Sequence, residues 1–430
     1  MGPSSVASRF SRRTQRAYPK GALPSFLQAA SVAPRMASSD PTAAPAVRER
    51  IPLAEPDLRG RELEYVVDCV KSGWISSIGP YVNRFEEVLA ETTGTKRALT
   101  TSNGTVALHL ALAALGIGPG DEVIVPDLTF AATANAVLYC GATPVLVDVR
   151  EEDWGLDPSL VEAAITPRTK ALLPVHLYGH PCDLEAVLDI AERHRLAVVE
   201  DAAEALGARF DDRPIGSFGD IACLSFYGNK TITTGEGGAC VTSRADLADR
   251  MSFLRDHGMN KARRYWHEEV GFNYRMTSLQ AAVGLAQIER LGELVAARRR
   301  NAARYRERLD GLGLLLSPET RRSSSSFWMF NLVLPEGAPF DRDGLAHALA
   351  ATGIDSRTVF YPLHHMPPYA KLVRPGQSFP VADRLGARGL TLPSATTLTE
   401  DEIDRVANAV RRAVGAPAWE TSRSAATTTS

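Results

Sequence analysis

The stretch Ser225-Phe226-Tyr227-Gly228-Asn229-Lys230-Thr231-Ile232-Thr233-Thr234-Gly235-Glu236-Gly237-Gly238 presents one lysine between two apolar runs, Ile221 to Phe226 and Ala239 to Thr242. Both runs read as buried strands, joined by a small polar turn and a glycine-rich hairpin. A lysine placed there is costly to bury unless its charge is neutralised or its amine is used. One use is condensation with an aldehyde such as that of pyridoxal phosphate. Taken alone, the segment is equally compatible with a lysine that points to water. A second run, Leu196-Ala197-Val198-Val199-Glu200-Asp201, ends in acids and precedes Ala202-Ala203-Glu204. A strand would deliver Asp201 at its C-terminal end, where ligands sit in open α/β sheets. A carboxylate against the pyridine nitrogen keeps that nitrogen protonated, so that the ring accepts electrons. The competing reading is an acid that caps the next turn. Asp201 and Lys230 together, each after a buried strand, favour the cofactor.

The elements that must position these residues follow from the pattern of the chain. Arg97 to Thr101 reads as a strand, and Ser102-Asn103-Gly104-Thr105 opens a helix over Val106 to Leu115. A helix N-terminus after a small-residue turn offers free N–H groups and a favourable dipole to an anion. Gly104 permits close approach of backbone. An ordinary N-cap without a ligand is the alternative; beside Lys230 and Asp201, phosphate contact by Gly104 and Thr105 is preferred. Strands are expected at Glu122–Pro126, Thr143–Val149, Ala171–His176 and Leu196–Asp201, alternating with helices. That alternation predicts a largely parallel sheet covered by helices on both faces. Phe130, at a strand-to-helix turn, could stack on a flat ring or simply fill the core. His176 and Tyr178 end a strand and could line the site; for His176 a satisfied structural role is expected instead. One long helix is expected from Thr277 to about Leu309.

These motifs resemble the DegT/StrS-type sugar aminotransferases, pyridoxal phosphate enzymes of fold type I (aspartate aminotransferase-like). The similarity runs from about Ile51 to Gly415. It rests on Ser102-Asn103-Gly104-Thr105, Thr129-Phe130, Glu200 to Glu204, Ser225 to Gly238 and Gly271-Phe272-Asn273-Tyr274-Arg275-Met276. The wording is most similar to the perosamine-synthase branch, whose members aminate C4 of a nucleotide-linked 4-keto-6-deoxy sugar. The resemblance implies Lys230 and Asp201 as catalytic residues. It implies Ser225 at the phosphate, Phe130 on the ring face and Glu204 near the ring hydroxyl. It implies that Asn273 reaches the phosphate of the other subunit, hence a homodimer with shared sites. L-glutamate would be the amino donor and a nucleotide-linked keto sugar the acceptor. Related sugar dehydratases carry histidine at the lysine position, so dehydration is the weaker alternative. A cofactor-binding regulator without turnover is another.

The chain has 430 residues, 44% of them hydrophobic, with a formal net charge of −2. This suits a large core and gives no reason to expect nucleic acid or an anionic membrane as partner. A large cofactor domain is expected over 51–300, with a mostly parallel seven-stranded sheet, and a smaller α+β domain over 301–415. Residues 1–50 are Arg-, Ser- and Ala-rich with a first acid at Asp40. They read as a disordered extension, a transit peptide, or an over-long start with Met36 as the first residue. Residues 416–430 read as a disordered tail. The five cysteines form no CxxC pair, as in a reduced cytoplasmic enzyme. Adjacent His364 and His365 lack a Cys or acid at ligand spacing, so no metal is expected. No GxGxxG follows the first strand, which argues against a Rossmann nucleotide fold.

Overall fold

Short apolar runs build one central sheet. In a computed structural model, which describes residues 48–419, its strands are β1 (Arg97–Thr101), β2 (Glu122–Pro126), β3 (Thr143–Val147), β4 (Thr169–Leu172) and β5 (Ala197–Asp201). After a small hairpin, β6 (Arg209–Phe210) and β7 (Arg213–Pro214), come β8 (Ile221–Ser225) and β9 (Gly238–Thr242). The seven strands lie in the order β1-β9-β8-β5-β4-β2-β3. Neighbours from β8 to β3 run parallel, whereas β9 runs against both β1 and β8. Most of the expected extension over 1–50, and the tail from 420 on, lie outside the described residues. Residues 48–50 are tied to the body: Arg48 pairs with Glu55, and Arg50 with Asp355.

Strand geometry explains how this sheet is buried on both faces. Successive side chains point to opposite sides. Thus Val123 and Val125 of β2 pack in one core cluster with Leu108, Ala134 and Val137. Ile124, between them, packs in another with Val161 and Val187. The helices that cover the sheet are those between its strands: α3 (Gly104–Ala114), α4 (Ala132–Tyr139), α5 (Pro158–Ala164) and α6 (Leu184–His194). Upstream lie α1 (Glu62–Ser72) and α2 (Pro80–Thr93), numbered here by chain order before α3. Downstream come α7 (Ala245–Arg255), α8 (Ser278–Ile288) and α9 (Leu291–Leu309).

The expected single helix over 277–309 is instead two. Thr277 starts α8 through a capping box with Gln280. The chain turns at Glu289–Arg290, where no proline or glycine signals a break. Asp57 supplies the cause: its backbone oxygen accepts from Gln287 and its carboxylate pairs with Arg290. Residue 300, the expected domain boundary, lies inside α9. Leu294 and Val295 pack with the helices beside the large sheet, while Ala302, Tyr305 and Leu309 enter a different core. That core backs a second sheet of order β10-β12-β14-β13, made of β10 (Leu315–Leu316), β12 (Phe330–Val333), β13 (Arg357–Thr358) and β14 (Gly389–Leu392). Between them β11 (Ser323–Ser324) pairs with β6. The helices here are α10 (Arg342–Ala350), α11 (Pro380–Arg388) and α12 (Glu400–Ala413). Asp341 caps α10 by accepting from the Gly344 N–H at 2.8 Å, as its sequence position suggested.

Candidate active site

The parallel pairing of β5 with β8 sets Asp201 opposite Cys223, so the segment carrying Lys230 leaves the sheet beside Asp201. The Asp201 side chain is buried. Its Oδ2 accepts from Thr133 Oγ1 at 2.8 Å and its Oδ1 from the Ala203 N–H at 3.2 Å. Burial pushes its carboxyl up, opposed first by the Thr133 hydrogen bond. A cationic partner would favour its ionised form, which is what a protonated pyridine nitrogen supplies.

The Lys230 side chain is 12% exposed. Its Nζ lies 3.4 Å from Glu204 Oε1 and 3.6 Å from the centroid of the Trp328 ring. Burial pulls the amine below its ordinary value, and Glu204 and Asp201 oppose that shift. Glu204 is itself held: its Oε2 accepts from the Tyr178 N–H at 2.7 Å. Tyr178 adopts a left-handed backbone, φ 54°, which is rare for a bulky residue and persists where surroundings impose it. Here its hydroxyl accepts from the Phe360 N–H at 2.9 Å. Its ring stacks between Phe360 and Trp328, with centroids 5.1 and 6.0 Å away. Phe360 in turn meets Phe130 at 5.7 Å. Phe130 is 57% exposed, so it is an open aromatic surface rather than core.

The expected phosphate contacts, Gly104, Thr105 and Ser225, come together where α3 meets β8. Asn103 caps the helix, its Oδ1 accepting from the Val106 N–H at 3.0 Å. This leaves the N–H groups of Gly104 and Thr105 as first-turn donors. A Cβ on Gly104 would sit 2.8 Å from Ser225 Cβ and 3.1 Å from its Oγ. Glycine is therefore what lets the Ser225 hydroxyl lie against the helix start. Asn273 lies elsewhere: it is exposed, in a segment bridged to Asp256. Among the described residues it makes no side-chain hydrogen bond to the Lys230 group. His176 is structural, with Nδ1 accepting from the Cys182 N–H and Nε2 meeting Glu200 at 3.1 Å.

Sequence reasoning missed Trp328 and Thr133. Trp328 comes from far along the chain, and no local pattern marks it. Thr133 was legible in principle, because it stands one helical turn after Thr129 and bonds to it at 2.9 Å. The residues present suit pyridoxal phosphate: an amine for the aldehyde, a buried acid for the ring nitrogen, and N–H and hydroxyl donors for the phosphate.

The sheet order and the placement of this group at the ends of β5 and β8 are those of fold type I pyridoxal phosphate enzymes, and the class is that of the aminotransferases. The chain belongs to the DegT/DnrJ/EryC1/StrS aminotransferase family, which matches residues 56–411. It is 52% identical over 359 residues to a GDP-perosamine synthase of Caulobacter vibrioides, covering 83% of this chain and 96% of the relative. Among solved structures, DesV of S. venezuelae aligns with a TM-score of 0.79 at 40% identity, over 85% of this chain and 98% of that one. The pyridoxal phosphate form of the putative sugar aminotransferase Spr1654 of Streptococcus pneumoniae aligns with a TM-score of 0.81 at 29% identity, over 85% and 99%. The cofactor of this chain is pyridoxal phosphate.

Proposed function

We propose that this aminotransferase moves the amino group of L-glutamate to the C4 keto group of a GDP-linked 4-keto-6-deoxy sugar. The products are 2-oxoglutarate and a nucleotide-linked amino sugar, used in a surface polysaccharide or another glycan. The observation that carries this reading is the likeness to a GDP-perosamine synthase over almost the whole chain, joined to a lysine at position 230 set among Glu204, Asp201 and Trp328. Bound pyridoxal phosphate supplies an aldehyde for the amine and a ring that accepts electrons. The chain supplies the rest. Lys230 Nζ holds the cofactor and, once free, takes the proton from the donor's α-carbon. Its lowered basicity, caused by burial, keeps it available as a base. Asp201 holds the ring nitrogen in its protonated form. Glu204, fixed by the Tyr178 N–H, orients the lysine. Ser225, Gly104 and Thr105 bind the phosphate, and Phe130 covers a ring face.

The working unit is a homodimer. Leu63, Val70, Trp74, Ile75 and Ile78, on α1 and the loop after it, are exposed and apolar, a surface a second copy would cover. Asn273 then serves the neighbour's phosphate. The setting is the cytoplasm, in keeping with five free cysteines. No helix of the described residues is long and apolar enough to cross a membrane.

The experiment is turnover with L-glutamate against GDP-, dTDP- and UDP-linked keto sugars. Preferred amination of the GDP-linked 4-keto sugar supports the assignment. Preference for a 3-keto sugar or another nucleotide overturns it.

A further inference from the structure

His364 and His365 share a short 3₁₀ turn, Leu363–His365, and α11 brings Asp383 against it. His365 Nε2 lies 2.9 Å from Asp383 Oδ1, and His364 Nε2 lies 3.3 Å from the same oxygen. One donor atom from each of the three residues falls within 4.8 Å of the others. The two histidines stand out in the sequence, but the acid does not, because it arrives from another element.

A buried carboxylate stands behind the group. Asp127, at the end of β2, is fully buried. Its Oδ2 meets His364 Nδ1 at 2.6 Å, and its Oδ1 accepts from the His364 backbone N–H at 2.9 Å. Its carbonyl accepts from the Leu363 N–H at 2.8 Å. Asp127 can only accept when ionised, so the proton of His364 sits on Nδ1 and the lone pair on Nε2 faces Asp383. The ring cannot turn away, since Phe379 stacks on it at 4.6 Å. Asp383 Oδ1 is shielded from solvent yet has no hydrogen-bond partner of good geometry. An acid-oriented imidazole with a second imidazole and a carboxylate in front of it is the arrangement of a metal site with its supporting shell.

We propose that His364, His365 and Asp383 bind a divalent transition-metal cation, with Asp127 as the residue that orients His364. Two imidazoles and one carboxylate suit zinc or cobalt better than calcium or magnesium. His365 and Asp383 are 52% and 46% exposed, so water completes the shell. The ion joins the segment after β13 to α11 and to the end of β2. It takes no part in the chemistry at Lys230.

The test is titration of Co²⁺ into metal-stripped, pyridoxal-phosphate-loaded enzyme, followed by its visible ligand-field absorption and by equilibrium dialysis. Saturable uptake of one cobalt per chain is expected. His365→Ala and Asp383→Asn, made separately, should each abolish it while the cofactor band and its response to glutamate persist. Asp127→Asn should weaken it about 10–100-fold. Absence of saturable uptake, or uptake unchanged in both variants, would overturn the site and leave a hydrogen-bonded His–Asp pair. Neither result bears on the aminotransferase assignment, which the glutamate response reads separately.

Discussion

At Lys230, burial lowers the basicity of the amine, and the negative charges of Glu204 and Asp201 push it back up. Glu204→Gln removes one of those charges. The lysine pKa should then fall further, and the acidic limb of the kcat profile, read once the donor has freed the amine, should move to lower pH. A limb that stays in place or moves up would detach Glu204 from the lysine's titration. At Gly104 the constraint is steric. Gly104→Ala places a methyl 2.8 Å from Ser225 Cβ, which forces the helix start and β8 apart. Pyridoxal phosphate should bind at least roughly tenfold more weakly, about 1.4 kcal/mol, as measured by titration of the cofactor-free protein. Unchanged affinity would mean the cradle is not where the phosphate sits. The placement of Asp201 at the end of β5, Gly104 at the start of α3 and Lys230 just after β8 was legible in the strand and helix pattern, whereas Ser225 stood out through the family resemblance alone. Trp328 and the strained backbone of Tyr178 were not legible. Their place depends on contacts between segments more than a hundred residues apart, which no local spacing encodes.

Among the elements, α9 bears on both sheets, and Arg298 is its means of doing so. This guanidinium is buried and donates to three carbonyls: Trp328 at 2.6 Å, Ser394 at 2.9 Å and Lys230 at 3.4 Å. Burial pulls it down to about 10. It thereby fixes the backbone of Lys230 to the approach of β12. Arg298→Met should lower the unfolding free energy by about 2–4 kcal/mol, since several carbonyls lose a charged donor. Urea unfolding measures this, and a loss below about 0.5 kcal/mol would show that the carbonyls find other partners. Most strand and helix ends were legible to within a few residues, because turns of Gly, Pro, Ser and Asn flank the apolar runs. The break between α8 and α9 was not. A carboxylate from the start of the chain sets it, and helical periodicity alone reads straight through.

At the scale of the molecule, the core holds a histidine that stability should report. His180 is buried, and neither ring nitrogen has a partner among the described residues. Burial lowers its pKa to about 4. The unfolded chain therefore takes up this proton first as pH falls. The neutral ring's contribution is complete above a pH of about 6.5 and is lost toward about pH 4, up to roughly 3 kcal/mol. His180→Leu should lose less stability than the parent between neutral pH and about pH 4.5, by urea unfolding. Equal losses would mean the ring is solvated. The proposed dimer, with active sites shared between its chains, makes a further prediction. Lys230→Ala and Asn273→Ala chains, each inactive alone, should recover roughly a quarter of the parental activity when exchanged into mixed dimers. No recovery despite confirmed mixing would confine each site to one chain. The α/β class and the mixed but mostly parallel sheet could be read from strand–helix alternation. The antiparallel run of β9 against β8 follows from the glycine-rich hairpin; its pairing with β1 could not be read, since it joins segments far apart in sequence. The most direct measurement is the visible absorbance of the purified protein, loaded with pyridoxal phosphate, before and after L-glutamate. The parent should show the band of lysine-bound cofactor, lose it on adding glutamate and gain the band of the aminated cofactor, while Lys230→Ala shows no lysine-bound band. A protein with no cofactor band after incubation with pyridoxal phosphate, or a band in the parent that glutamate leaves unchanged, would contradict glutamate-driven amination at Lys230.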